Sequence, residues 1–325
     1  MSRTSFFRTV IRKGILAASA CLFLAACGNV QAEAPAVLPE EEVPAVREGP
    51  RPSSGGGSYK APEMRTSEFH PDQAEGDTGA AIDISCVNDG YVAVSAISEN
   101  RLKFQVIKEE DTYNYDLNND GTPSVMPLQS GDGNYTFRIM ENIVDKKYAV
   151  LFETSADVKL NDEFDPFLRP NDYVQFDKDS KCVLKARELA EGAGSQLDVV
   201  AAVYDFVCDT VTYDTEKAET IKTMYCPDPD ETLSTGKGIC FDYASLAASM
   251  LRSQGIPAKL IFGYVSPDDL YHAWNMFYTE ETGWVTAEFQ VDPKQWNRID
   301  LTFAANGSDS KFIGDGSNYS DLYQY

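Results

Sequence analysis

Near residue 182 the spacing of apolar residues changes, and no single sheet or bundle satisfies both halves of the chain. Between residues 78 and 181 the period is two. Tyr91-Val92-Ala93-Val94-Ser95-Ala96, Leu102-Lys103-Phe104-Gln105-Val106-Ile107, Tyr135-Thr136-Phe137-Arg138-Ile139 and Tyr148-Ala149-Val150-Leu151-Phe152 alternate or run apolar over strand lengths. Polar turns such as Asn118-Asn119-Asp120-Gly121 and Gly131-Asp132-Gly133-Asn134 divide them. That rhythm suits a small all-β sandwich. Beyond residue 182, Leu197, Val200, Tyr204 and Val207 lie at helical spacing behind Ser195, a natural N-cap. A second helical stretch runs from near Cys240 to Gln254 and is ended by Gly255, with Pro257 just beyond. Strand-like runs follow at 259–265, 272–279 and 283–291. The expectation is an α+β chain: helices packed on an antiparallel sheet at 182–325, preceded by a β-rich domain at 78–181.

The first residues belong to neither half. Arg3, Arg8, Arg12 and Lys13 precede an apolar run at 15–26 that is too short for a permanent membrane span. The run ends in Leu24-Ala25-Ala26-Cys27-Gly28, which resembles the lipobox of bacterial lipoproteins. The resemblance implies a signal peptide at 1–26, lipid attachment at Cys27, and a chain anchored on the extracytoplasmic face of a bacterial membrane. An ordinary cleaved signal with an incidental Cys27 is the plainer reading. Residues 27–77, rich in Ala, Pro, Glu, Gly and Ser, read as a flexible tether. The whole chain carries a formal charge of −23, and loss of residues 1–26 would remove four positive charges and no negative ones. Such acidity argues against nucleic acid as a partner.

Beyond Cys27 the cysteines are Cys86, Cys182, Cys208, Cys226 and Cys240, an odd number that suggests one reactive thiol beside structural bridges. Cys208 and Cys226 are the first pair to expect. Asp116-Leu117-Asn118-Asn119-Asp120-Gly121 matches the first half of a calcium loop, but Pro127 stands where the twelfth-position acid belongs, so a turn is the simpler reading. With no CxxC pair and few histidines, zinc is a minor option and no cofactor is expected.

The chain has two histidines. His70 falls in the tether, whereas His272 stands in Tyr271-His272-Ala273-Trp274-Asn275, downstream of Gly236-Lys237-Gly238-Ile239-Cys240-Phe241-Asp242-Tyr243-Ala244. Cysteine is a good nucleophile only as thiolate, and a neighbouring imidazole is the usual means of producing it. Gly236 and Gly238 allow a tight turn into a helix, setting Cys240 at an N-terminus whose N–H groups favour a thiolate and can bind an oxyanion. A buried apolar thiol and a satisfied strand histidine are the bland alternatives for each residue alone.

Taken together, these two motifs resemble the transglutaminase-like superfamily of papain-type fold, as do Ile256-Pro257-Ala258-Lys259 and Gly283-Trp284-Val285. The resemblance covers residues 198–303. It implies Cys240 as nucleophile, His272 as general base and an acid that orients the imidazole. That acid usually follows a Trp by four positions. Trp296 points to Asp300, followed by Leu301-Thr302, and Trp284 points to Glu288. Asp300 is the first choice, Glu288 the second and Asp292 the third. Asp242 and Tyr243 read as structural, Tyr225 could reach the oxyanion site, and Tyr271, Trp274 and Trp284 are cleft or core aromatics. The implied activity is acyl transfer through a Cys240 thioester on an amide of a peptide or protein, with water or an amine as acceptor. A non-catalytic surface binding module that retains the fold is the rival.

Overall fold

The first half forms two antiparallel sheets, and alternation of buried and exposed residues is clearest in the second of them. The computed structural model describes residues 58–325 except 222–223, 266–269, 293–294 and 301–318, and leaves out the side chains of 265, 270–271, 287–300 and 319–322. Cys27, the signal segment and the tether up to residue 57 lie outside the described residues. One sheet orders as β1 (Glu75–Asp77), β2 (Ala80–Asp83), β3 (Tyr91–Ala96) and β6 (Ser124–Pro127). The other runs β5 (Asp111–Leu117), β4 (Leu102–Lys108), β7 (Gly133–Val144), β8 (Lys147–Val158). Leu102, Phe104 and Val106 of β4 and Tyr135, Phe137 and Ile139 of β7 are buried at every second position, as a half-covered sheet requires. The expected sandwich is present. Residues 118–121 form no hairpin: they carry the chain from β5 in one sheet to β6 in the other. There Asp116 pairs with Arg101 at 2.6 Å and Asp120 accepts the Thr122 N–H at 2.9 Å, so both acids serve the turn.

The second half holds α1 (Lys181–Ala190), α2 (Gln196–Thr210), β9 (Thr212–Tyr213), α3 (Thr215–Thr220), α4 (Pro229–Thr235), β10 (Lys237–Gly238) and α5 (Cys240–Ser253). Then come β11 (Ala258–Val265), β12 (Leu270–Thr279), β13 (Gly283–Asp292), β14 (Gln295–Asp300) and β15 (Tyr319–Gln324), ordered β14-β13-β12-β11-β15 in one sheet. Ser195 caps α2 by accepting the Asp198 N–H at 3.1 Å. Asp228 caps α4, and the Asp230 carboxylate reaches across to the Lys181 and Cys182 N–H groups that open α1. α5 packs on α1, α2 and α4 on one side and on β11 and β12 on the other.

The sandwich and the helical half share one continuous apolar core. Tyr325 is its hinge pin: the buried ring stands edge-on to Tyr115 of β5, Tyr173 and Phe262 of β11, with centroids 4.8–5.8 Å apart. Residues 58–77, assigned to the tether on composition, are instead packed. Tyr59 donates its N–H to Ala193 and its hydroxyl to the Gln254 carbonyl, and His70 binds Asp83. A polar, proline-rich segment is held here by discrete hydrogen bonds, which leave no apolar period to read.

Gly255 is required twice. Its φ of +74° is left-handed, and a Cβ there would lie 2.1 Å from Pro62 Cγ. Gly255→Ala should cost about 1–3 kcal/mol through backbone strain and displacement of residues 59–62. Thermal unfolding of the variant against the parent measures this.

Candidate active site

Gly236 ends α4 with φ +62° and donates its N–H to Thr232 at 3.0 Å. The next two residues form β10 and pair parallel with β9, Lys237 opposite Thr212 and Gly238 opposite Tyr213. A Cβ on Gly238 would stand 2.6 Å from Cβ of Asp242, so only glycine lets the chain pass this close to α5. α5 then begins at Cys240. Its cap residue, Ile239, offers no side-chain acceptor; Asp242 instead reaches back to the Ile239 N–H at 2.8 Å. The N–H groups of the first turn are thereby left for the sulfur. The backbone N–H groups of Phe241 and Cys240 favour the charged form of the Cys240 thiol, and so does a third, that of Ala273 on β12.

That third donor brings the two sequence motifs together, because Ala273 follows His272 directly. His272 is buried, pairs across the sheet with Gly263, and stacks on Trp274 at a centroid distance of 6.5 Å. Asn275 fixes β12 to α5: its Nδ2 donates to the Ala244 carbonyl at 3.0 Å and to the Lys259 carbonyl at 3.1 Å. The strand carrying the histidine and the helix carrying the cysteine are thus joined by one buried amide.

The thiol itself is not a ready thiolate. Burial pushes its pKa up, and this outweighs the donors from Ala273 and Phe241; the Asp242 carboxylate adds to the rise. The helix terminus was expected to favour the charged form, but desolvation dominates. Ionisation of Cys240 therefore calls for a base that takes the proton.

Asp242 is wholly buried and held by three donors: the Ile239 N–H, the Lys217 ammonium of α3 at 2.9 Å, and the Tyr225 hydroxyl on its second oxygen. Tyr225 is thus bound to Asp242 and is not presented as an oxyanion donor. Tyr243 donates to the Val211 carbonyl at 2.7 Å, the structural role expected of it. Trp274 is core, and Trp284 packs on Phe164, Phe167 and Tyr278 with the Lys259 ammonium 4.2 Å above its ring. Lys217 carried no signal in the sequence, since it lies in a short polar helix 25 residues before its partner. The side chains of Glu288, Asp292 and Asp300 and of Tyr271 lie outside the described residues. Backbone register places Glu288 opposite Asp300, one residue past Ala287, which pairs with Asn275.

A second cysteine–histidine pair was not expected. His70 Nδ1 lies 3.9 Å from Cys86 Sγ, but the same nitrogen makes a 2.9 Å bond to Asp83. Burial works against the Asp83 carboxylate, yet hydrogen bonds from Ser85 and His70 outweigh it and hold its pKa below the usual range. With Nδ1 committed to a carboxylate, His70 offers Cys86 no lone pair, and the group acts as a clasp on residues 68–71. The expected Cys208–Cys226 bridge is absent, and all five described cysteines are thiols. Cys208 lies on α2 near Tyr204 and Tyr243, whereas Cys226 lines an open groove with Asp116, Asp172 and Asp230. Among the described residues no three His, Cys, Asp or Glu side chains converge as metal ligands.

Residues 185–289 match the family model described as the transglutaminase-like superfamily. An uncharacterized Bacillus subtilis protein, YebA, is 30% identical over 120 residues, covering 32% of this chain and 16% of its own length. A Pseudomonas aeruginosa protein-glutamine gamma-glutamyltransferase is 32% identical over 101 residues, covering 26% and 15% respectively. The chain spans about a sixth of the length of these curated relatives. The solved structure of Legionella pneumophila LapG covers 43% of this chain and 74% of its own, at 17% identity and a TM-score of 0.28.

Denatured protein alkylated without prior reduction should show Cys86, Cys182, Cys208, Cys226 and Cys240 all modified. Peptide mass spectrometry is the check, and a Cys208–Cys226 linked peptide would contradict the geometry.

Proposed function

We propose that the transglutaminase-like core formed by residues 185–289 is a cysteine acyl-transfer site, with Cys240 as nucleophile and His272 as general base. The observation that carries this is Cys240 opening α5, among the N–H groups of the first helical turn, with that helix joined to the His272 strand by the Asn275 amide. His272 takes the thiol proton as sulfur attacks an amide carbonyl, and the oxyanion forms where those N–H groups converge. Collapse breaks the C–N bond, His272 returns the proton to the departing amine, and a thioester remains on Cys240. Water then gives hydrolysis; an amine gives transamidation. A peptide or protein amide is the substrate class, in keeping with relatives named as a glutamine transferase. A raised thiol pKa suits this scheme, because proton transfer and attack then proceed together.

For the third member the family match favours Glu288, since it ends at residue 289 and leaves Asp300 outside. Asp300, chosen from the Trp296 spacing, is its backbone neighbour across the strand pair. The lipobox-like residues 24–28 support attachment at Cys27 and an extracytoplasmic site of action on neighbouring surface or cell-wall peptides.

Iodoacetamide at neutral pH should modify Cys240 faster than the other four thiols, and His272→Ala should slow it at least about tenfold. If Cys240 reacts no faster than Cys226 and His272→Ala changes nothing, the binding-module reading replaces the enzyme. Glu288→Gln should slow Cys240 alkylation by about tenfold or more, and Asp300→Asn by less than about twofold. The reverse order would return the role to Asp300.

A further inference from the structure

A carboxylate wholly buried two residues after the nucleophile is an electrostatic problem that the motif itself does not solve. Asp242 holds the turn before Cys240 through the Ile239 N–H, so it cannot be dispensed with as a cap. Its negative charge also opposes ionisation of the neighbouring thiol. The compensating charge comes from outside the motif. Lys217 Nζ stands 2.9 Å from Asp242 Oδ2 and 4.5 Å above the Tyr225 ring, whose hydroxyl binds the other carboxylate oxygen. The Lys217 side chain is only 27% exposed, so the pair is partly shielded from solvent and its charges are felt at short range.

We infer that Lys217 is a positioning residue for the proposed Cys240 chemistry, acting by neutralising Asp242 so that the thiol can lose its proton to His272. The inference rests on the acyl-transfer reading of Cys240. Other groups face this cluster too. Tyr213 of β9 lies close enough to both Cys240 and Asp242 for their charges to raise its pKa, after burial. Glu231 and Cys226 act on Tyr225 in the same sense, behind burial and Asp242 itself. Ala273 and His272 approach from β12. Among these groups Lys217 is the cation in direct contact with Asp242. Without it, the Asp242 carboxylate disfavours a second negative charge at sulfur with no cation in contact to offset it.

A Tyr225 ring held between Asp242 and Lys217 ties the 224–228 segment to the same point. α3 thereby acts on the nucleophile without touching it. Five of its six residues are polar, and none is buried, so packing of apolar surface does not explain where it sits. The ion pair holds it, together with the bonds from the Thr212 and Asp214 N–H groups to β10 and its flanking residue.

The test is the pH dependence of Cys240 alkylation by iodoacetamide, read by peptide mass spectrometry on the folded protein, with Cys86 as internal reference. Lys217→Met keeps the stem over Tyr225 and removes the charge. It should raise the midpoint of the profile by about one pH unit, which is roughly a tenfold slower reaction below the midpoint. Lys217→Arg should rescue the parental midpoint, and in an Asp242→Asn background Lys217→Met should produce no shift. A Lys217→Met midpoint equal to the parent's, with unchanged melting temperature, overturns the inference. So does a rise that persists in the Asp242→Asn background. If that doubly substituted protein does not fold, the Met and Arg variants alone decide. Failure of the acyl-transfer reading looks different: the parent's own Cys240 rate would then be indifferent to His272→Ala, whatever Lys217 does.

Discussion

A helix with no exposed face sets the terms for the rest of this chain. From Asp242 to Ser253 every residue of α5 is buried, and five of those twelve are polar or charged by nature. Each such group must find a partner inside the protein or cost free energy comparable to a lost hydrogen bond or worse. Ser245 and Ser249 donate to the carbonyls of Tyr173 and Gln175, so the segment that leaves the sandwich is stitched along the helix. Arg252 gives its three nitrogens to the carbonyls of Ala258, Arg169 and Tyr325. Burial lowers its pKa to about 9, yet the carbonyl dipoles keep a cation acceptable there. One guanidinium therefore fastens the turn after α5, the sandwich exit and the last strand together.

The two ends of α5 carry opposite buried charges, and each suits its terminus: an acid in the first turn and a base in the last. At the C-terminal end the charge is spread over neutral acceptors and serves architecture alone. The N-terminal end is different, because the proposed nucleophile shares it. There the same burial that gives the helix its stability works against ionisation of Cys240, and the backbone donors that help are the donors an oxyanion would need. A thiol of this kind holds its proton until a neighbouring base removes it.

Much of the architecture could be read from local pattern, because α2, α5 and the strands from β11 to β13 each carry their own period and caps. Ser195, Gly255 and the alternation of β4 are local facts that tertiary packing only reinforced. Cys240 and His272 stood out for another reason: each sits in a motif whose glycines and strand residues have a mechanical purpose visible in the sequence. What stayed hidden depended on approach between distant segments. Lys217 gains meaning only when α3 lies over Asp242, and residues 58–77 look like tether until Tyr59 and Pro62 meet the end of α5. The cysteine count suggested bridges, but pairing needs proximity, and Cys208 and Cys226 face different surroundings. Trp-to-acid spacing gave two answers because Trp284 and Trp296 are each followed four positions on by an acid, and the backbones of those two acids pair across β13 and β14.

The docking of residues 59–62 decides how mechanical load enters the protein. Tyr59 and Pro62 grip Gln254 and Gly255, at the far end of α5 from Cys240. At a rise of about 1.5 Å per residue, the 14 residues of α5 separate that grip from the thiol by roughly 20 Å. A pull on the chain upstream of residue 58 is met first by the hydrogen bonds to Ala193 and Gln254 and by the Pro62 contact. Cys240 is thus placed at the end of α5 remote from that grip.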